Sequence, residues 1–125
     1  MDNYSVEKFE NILAKLSKSK FRNSFKLSAK DKNYISSKGM AAIKKHALDF
    51  FIKRLSSIYN SKLKDGKQTP FKGHPVFIAQ HSLALCCRKC LKKWHNIEEN
   101  RELTAAEINY CVDLIMYWLQ KHHHN

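Results

Sequence analysis

Four polar side chains recur at intervals of seven residues in the middle of the chain: His74, His81, Arg88 and His95. On a continuous helix such positions form one stripe, because seven residues make almost two full turns. Neighbours in this stripe stand about 10.5 Å apart, which is too far for them to share a proton or a metal ion. The spacing predicts separate donors along a groove that holds an extended anion. The alternative is ordinary polar residues at the edge of the core.

Three of the four cysteines, Cys86, Cys87 and Cys90, lie within five residues and include a Cys-x-x-Cys pattern. His95 follows them, but on a continuous helix it is about 12 Å from Cys87, whereas zinc ligands lie about 2.0–2.3 Å from the metal. We therefore expect the cysteines to pack as small buried side chains, with no cofactor. A zinc site that includes Cys87 and Cys90 is the weaker alternative.

Three histidines are candidates for acid–base chemistry: His46, His81 and His95. His46 precedes Asp49 by one helical turn, so the carboxylate could orient the imidazole. Two lysines also flank Asp49 at four-residue spacing, which favours an ordinary surface pair. The sequence contains no P-loop, dinucleotide-binding fingerprint, serine elbow or zinc-protease motif, and this argues against those enzyme classes.

The positive charge is concentrated in the centre of the chain. The 125 residues carry a net charge of +12, and residues 15–93 hold 20 basic and 3 acidic side chains. A basic body with mildly acidic ends is typical of a surface that binds nucleic acid or another polyanion. A general lysine bias is the competing explanation. No apolar run reaches the length of a membrane span, so we expect no membrane partner, and the oligomeric state stays open.

The composition predicts an all-α fold, since Leu, Ala and Lys are abundant while the chain has only three glycines and two prolines. Apolar periodicity and capping residues predict four to five helices in one domain, residues 1–121, around a central fourth helix. Residues 60–73 should form a surface loop, and the histidine-rich tail at 122–125 should be disordered. The predicted helices cover about residues 6–17, 28–39, 40–59 and 75–95, and a last one opens at Thr104.

Several short sequence motifs together resemble those of a known protein family. They include Gly73-His74-Pro75-Val76-Phe77-Ile78-Ala79-Gln80-His81, Cys86-Cys87-Arg88-Lys89-Cys90-Leu91, Lys93-Trp94-His95, and shorter matches at Phe21-Arg22, Lys30-Asp31 and Tyr34-Ile35. The chain thus resembles the bacterial and phage-borne proteins known as domain of unknown function 4186. The resemblance spans nearly the whole chain and implies no activity. The sequence departs from the family pattern at residues 82–85 and by its extra lysines Lys89 and Lys92.

The leading hypothesis is a cytoplasmic helical module that binds nucleic acid mainly through its phosphates. The start of the chain lacks a secretion signal, which favours the cytoplasm. The binding surface should lie where the loop before Pro75 meets the fourth helix, because loops and helix N-termini favour anion binding. One alternative is a small enzyme that uses histidines on phosphate esters or nucleobases. Another is a mobile-element regulatory protein with an acidic protein partner. The predicted binding residues are Lys67, Gln68, Lys72, His74, His81, Arg88 and Lys92.

Overall fold

The structure, a computed structural model, describes residues 3–57 and 68–124. Within these ranges the chain forms seven α-helices and no strand, which confirms the predicted all-α class. No helix in the described ranges combines the length and the apolar character that crossing a membrane requires. The helices are α1 (Asn3–Leu16), α2 (Lys20–Asn23), α3 (Ala29–Lys38), α4 (Met40–Leu55), α5 (Pro75–Ser82), α6 (Arg88–His95) and α7 (Ala105–His122).

Local capping signals set the starts of α3 and α7. The Ser28 side chain accepts a hydrogen bond from the backbone of Asp31, and the Asp31 carboxylate accepts one from the backbone of Ser28. Thr104 and Glu107 form the same reciprocal pair at the start of α7. Each pair satisfies two backbone N–H groups that the first helical turn leaves without partners. Both helix starts therefore follow directly from the sequence.

The hydrophobic core lies between α4, α5 and α7. Helix α4 packs along α7, and α5 contacts both of them as well as α2 and α3. This position confirms the prediction that the segment beginning at Pro75 is central. The fully buried side chains of these three helices include Ile43, Ala47, Phe51, Leu55, Val76, Ala79, Cys111, Leu114, Ile115 and Leu119.

The prediction of one helix over residues 75–95 is wrong, because the chain turns a corner at residues 83–87. Ala84 adopts a left-handed backbone conformation with φ of 58°, which ends α5. The backbone N–H of Leu85 donates to the carbonyl of Gln80, and the Gln80 side-chain amide donates to the carbonyl of Leu85. The Cys87 sulfur then caps α6. Leu83, Ala84 and Leu85 are fully buried, so the corner has the same apolar pattern as a buried helix.

Arg88, the first residue of α6, has no exposed surface. Its Nη1 donates to the carbonyl oxygens of Leu55 at 3.0 Å and Ser57 at 3.3 Å. Its Nη2 donates to those of Glu98 at 2.8 Å and Arg101 at 2.6 Å. The guanidinium thus joins the end of α4 to the segment that follows α6.

The segment before α5 is only partly a surface loop. Gln68 and Thr69 are buried, contrary to the prediction for residues 60–73. The Gln68 Oε1 accepts a hydrogen bond from the backbone N–H of Arg88 at 3.0 Å, and the Thr69 hydroxyl donates to the carbonyl of Cys86 at 2.7 Å. These contacts hold the segment against the α5–α6 corner. The predicted end of the third helix at Tyr59 lies outside the described residues.

The histidine-rich tail begins inside a helix. Helix α7 runs to His122, whose ring stacks on Trp118 with the ring centroids 4.2 Å apart. His122, the first residue of the tail defined from the sequence, thus belongs to α7, and Asn125 lies outside the described residues. Over residues 3–57 and 68–124 the helices number seven rather than four or five for two reasons. The short α2 was not predicted, and the predicted fourth helix is α5 and α6.

We expect Arg88→Lys to lower the free energy of unfolding by about 3 kcal/mol, because an ammonium group cannot reach four carbonyl oxygens and leaves some of them buried without a donor. Urea denaturation followed by circular dichroism measures this loss. Arg101→Lys is the matched control, since its side chain forms an exposed ion pair with Glu107. The control should keep the stability of the wild type, because exposed ion pairs contribute little. Equal losses in both variants would contradict the structural role of Arg88.

Candidate functional site

A surface cavity with a volume of about 660 Å³ lies between the start of α3 and the start of α5. We call it the basic cleft, because its lining contains three lysines and one carboxylate, that of Asp31. On the α5 side the cleft is lined by His74, the N-cap residue of that helix. The lining residues are Lys26, Ser28, Lys30, Asp31, Tyr34, Lys72, Gly73, His74, Pro75 and Ile78.

Two histidines meet beside this cleft. The Nδ1 of His46 on α4 lies 3.1 Å from the Nε2 of His74. The Nδ1 of His74 accepts the backbone N–H of Val76 as the cap of α5, so in the neutral ring its Nε2 carries the proton. That proton is donated to Nδ1 of His46, which leaves the remaining ring proton of His46 on its Nε2. The pair is therefore a directed chain of two imidazoles rather than the His46–Asp49 pair weighed from the sequence.

The positive charge of the cleft comes from its lysines and not from its histidine. Burial lowers the pKa of His74 to about 4, and the neighbouring His46 adds to this effect. His74 is therefore neutral near pH 7. Lys26, Lys30 and Lys72 are all exposed and keep their ammonium groups available to solvent.

An aromatic surface adjoins the basic cleft, and we call it the aromatic patch: Phe21, Phe25 and Phe71. Phe21 and Phe71 are about half exposed, at 53% and 52%. The rings of Phe25 and Phe71 are nearly parallel, with centroids 6.4 Å apart. Phe25 and Phe71 directly precede Lys26 and Lys72 in the chain. Large apolar rings are thus exposed beside the cleft lysines.

The predicted stripe of polar residues does not exist, because the corner at residues 83–87 separates its members. His81 is buried, and its Nε2 donates to the carbonyl oxygens of Thr69 at 3.2 Å and Pro70 at 3.0 Å. Burial lowers its pKa, although these two carbonyl contacts oppose the shift. His81 thus holds the segment before α5 in place and does not face the cleft.

His95 also makes internal contacts. Its Nε2 donates to the carbonyl of Leu83 at 2.8 Å, and its Nδ1 lies 2.8 Å from the hydroxyl of Tyr110. Burial lowers the pKa of His95. The ring joins the end of α6 to the corner and to α7, so it is separated from His46 and His74.

The other predicted binding residues are divided between the interior and the surface. Gln68 and Arg88 are buried and bonded to one another through the Arg88 backbone, so the surface role expected for these two side chains does not fit their positions. Lys92 is half-buried and forms an ion pair with Glu98 at 2.5 Å. Lys67 lies outside the described residues. Of the predicted set, the structure brings Lys72 and His74 together in the basic cleft.

The three clustered cysteines meet at the α5–α6 corner. Their Sγ atoms all lie within 4.8 Å of one another, an arrangement that can hold a metal ion. The Cys87 and Cys90 sulfurs are 3.0 Å apart, and the Cys86 and Cys90 sulfurs are 3.8 Å apart. The argument from the sequence against zinc concerned Cys87 and His95, and His95, at the far end of α6, is not part of the cluster. What the sequence argument did not foresee is the break before α6, which brings Cys86 beside Cys87 and Cys90. Cys86 and Cys87 lie in the corner itself, and Cys90 lies in the first turn of α6.

Residues 10–120 match the model of the family described as a domain of unknown function, DUF4186. The chain belongs to this family. No solved structure matches the chain. The family description assigns no activity, so a function for this DUF4186 chain has to be argued from the geometry and charge of its own residues.

Sequence reasoning missed several residues that complete these sites in the DUF4186 chain. Lys26, Lys30 and Tyr34 line the cleft opposite His74. Arg22 lies against the cysteines, more than sixty positions earlier in the chain. The short family motifs include Arg22, Lys30 and Tyr34, but a motif shared with a family does not show which distant segment of the chain a residue contacts.

We expect His74→Asn to flatten the dependence of unfolding free energy on pH. Below the ordinary histidine pKa of about 6.5 this residue is protonated in the unfolded chain, whereas in the folded chain it stays neutral down to pH about 4. As the pH falls through this range, the unfolding free energy of the wild type therefore decreases by up to about 1.4 kcal/mol per pH unit from this residue. Asparagine keeps the cap of α5. Urea denaturation between about pH 5 and about pH 7 measures the slope.

The control for this measurement is His124→Asn, because His124 is exposed. It should keep the slope of the wild type. A His74→Asn variant with an unchanged slope would show that the folded and unfolded chains protonate this residue alike.

Proposed function

We propose that the protein binds single-stranded nucleic acid across the basic cleft and the aromatic patch. The observation that carries this proposal is the adjacency of three exposed lysines to the half-exposed ring of Phe71. Single-strand binding needs both features, since cations track the phosphates while aromatic rings receive the bases.

The lysines supply the electrostatic part of the proposal. Lys26 and Lys30 stand on one wall of the basic cleft, and Lys72 stands on the other. Asp31 is the one carboxylate among the lining residues, so the cleft keeps an excess of positive charge. Phosphates that these lysines neutralise release condensed counterions, and this release makes binding sensitive to salt.

The aromatic patch favours a single strand over a duplex. Bases in a duplex are stacked on one another, whereas an unpaired base can stack on a protein ring. Phe21 and Phe71 expose about half of their surface, although burial of such rings is favourable. Stacking on a base would remove this apolar surface from water.

We expect the triple variant Lys26→Ala, Lys30→Ala and Lys72→Ala to bind a labelled single-stranded oligonucleotide at least about tenfold more weakly. The slope of log affinity against log salt should fall by about 2, since three single-strand phosphate contacts are lost. Fluorescence anisotropy between about 50 and about 200 mM salt measures both quantities.

The control carries the same change in net charge at three exposed lysines outside the cleft: Lys18→Ala, Lys53→Ala and Lys93→Ala. It should bind within about threefold of the wild type. Equal losses in the two triple variants would mean that charge acts diffusely and that the cleft is not the site. Absence of binding at the lowest salt concentration would refute the proposal altogether.

We also expect Phe71→Ala to weaken single-strand binding by about 1–3 kcal/mol, because one base loses its stacking partner. Binding of a duplex should change less. Ile52→Ala removes an exposed apolar side chain of α4 and is the matched control for the loss of surface apolar area. If both variants bind equally well, the aromatic patch takes no part.

A second candidate function is acid–base catalysis on a phosphate ester or a nucleobase, and the His46–His74 pair favours it. Both ring nitrogens of His74 are engaged, by Val76 and by His46, so Nε2 of His46 is the position of the pair that would exchange a proton with a substrate. His74 itself lines the basic cleft where phosphates would sit. Neither His81 nor His95 faces this cleft, so these two residues are not carried into the catalytic proposal.

His46→Asn tests this second function. With labelled oligonucleotides and nucleotides as substrates, the variant should lose turnover by at least about a hundredfold while its binding affinity stays within about twofold. A wild-type protein that leaves every such substrate unchanged would exclude the catalytic proposal. The binding proposal would stand unaffected.

Binding at the cleft needs no cofactor, because its lining offers ammonium groups and rings rather than a set of metal ligands. Zinc is proposed for the cysteine cluster instead, where the donor atoms are sulfur. Nucleic acid as the partner is consistent with the cytoplasmic location proposed from the sequence.

A further inference from the structure

The cysteine cluster has the dimensions of a thiolate metal site. Zinc–sulfur bonds of about 2.3 Å in a tetrahedron place two sulfurs about 3.8 Å apart. The Cys86 and Cys90 sulfurs are 3.8 Å apart, and the Cys87 sulfur is 3.0 Å from that of Cys90. A small rotation of the Cys87 side chain would open the shorter separation to the same value.

Each of the three sulfurs also receives an N–H hydrogen bond. Arg22 donates from Nη1 to the Cys86 sulfur at 3.4 Å and from Nη2 to the Cys90 sulfur at 3.1 Å. The backbone N–H of Cys90 donates to the Cys87 sulfur at 3.3 Å. N–H donors stabilise thiolates much more than thiols, and such outer partners are typical of metal-bound cysteines.

Arg22 supplies a buried positive charge with one carbonyl acceptor, that of His81, whereas the buried Arg88 donates to four. Its exposed fraction is 8%, and besides the two sulfurs it contacts the carbonyl of His81 at 2.8 Å and the ring of Phe21 at 5.0 Å. Among the described residues, none of the ion pairs involves Arg22. A buried guanidinium with so few oxygen acceptors is costly unless nearby groups carry negative charge. The three sulfurs are the groups that can carry it.

We propose that Cys86, Cys87 and Cys90 bind one Zn²⁺ ion as thiolates, with Arg22 as the cation that neutralises the complex. Three thiolates around a divalent cation have one net negative charge, and the guanidinium balances it. Sulfur ligands favour zinc over magnesium or calcium. This proposal is independent of nucleic-acid binding at the basic cleft.

Three sulfur ligands leave one of the four usual coordination positions of zinc to another ligand. No fourth His, Cys, Asp or Glu ligand atom among them joins the three sulfurs within the same distance. Zinc is usually four-coordinate, and sites with three protein ligands take water or another small ligand in the fourth position. We assign that position to water.

The experiment measures metal in protein purified under reducing conditions from zinc-containing medium, without metal-affinity chromatography. Elemental analysis should find one zinc per chain. Replacement with Co²⁺ should give the sulfur-to-cobalt charge-transfer band and the strong visible bands of a tetrahedral thiolate site. The spectrum of the wild-type protein reads out sulfur ligation even where a cysteine variant fails to fold.

Three comparisons locate the metal. Cys90→Ala should lose it, whereas Cys111→Ala, at a buried cysteine outside the cluster, should keep it. In chelator competition, Arg22→Gln should bind zinc about 10–100-fold more weakly than the wild type. Arg101→Gln should bind it unchanged, because the Arg101 side chain is exposed and contacts Glu102 and Glu107 rather than the cysteines. The double variant His123→Ala and His124→Ala should keep the zinc and the cobalt bands.

Several results would overturn the proposal. One is protein with no bound metal after incubation with a stoichiometric amount of Zn²⁺. Another is zinc that disappears with His123 and His124, or cobalt bands without sulfur character, since either would assign the metal to the histidine tail. A disulfide between Cys87 and Cys90 in the protein isolated under reducing conditions would equally exclude the site.

Discussion

The buried guanidinium of Arg88 is the interaction on which the rest of this fold depends. Removing a charge from water costs several kcal/mol unless polar groups replace the lost solvation. Four carbonyl oxygens do so here, and the Leu55 oxygen is one that the end of α4 would otherwise leave without a partner. The negative end of the α4 dipole adds a favourable field for a cation. One side chain thereby fixes where α6 begins relative to α4.

The corner that Arg88 stabilises also divides the chemistry of the protein between the two ends of α5. The first end is capped by His74, which lines the basic cleft and contacts His46. Beyond the other end the chain reverses and brings Cys86 and Cys87 beside Cys90. Arg22 contacts both the last turn of α5 and the sulfurs, so the cysteines and the helix are held by a common cation.

The parts of the candidate site that could be predicted are those that depend on neighbouring residues in the chain. Lys72 and His74 lie just before a proline that begins a helix, and this local pattern was sufficient to place them on one surface. Arg88 and His81 have the same polar character, yet they are internal. Residue type does not tell whether a polar side chain meets solvent or a buried carbonyl, because the carbonyl belongs to a segment far away in the chain.

The amino-acid sequence by itself determined the helical class, the starts of α3 and α7 and the basic character of the central chain. Capping boxes are contacts over three residues, and composition sets helix propensity and net charge without any tertiary contact. Only the tertiary structure decided that residues 75–95 form two helices, that the cleft joins α3 to α5, and that Arg22 meets the cysteines. A buried corner and a buried helix show the same apolar pattern. Besides the local pair between Gln80 and Leu85, the hydrogen bonds that favour the corner come from Thr69 and His95, which lie 17 and 12 positions from their acceptors.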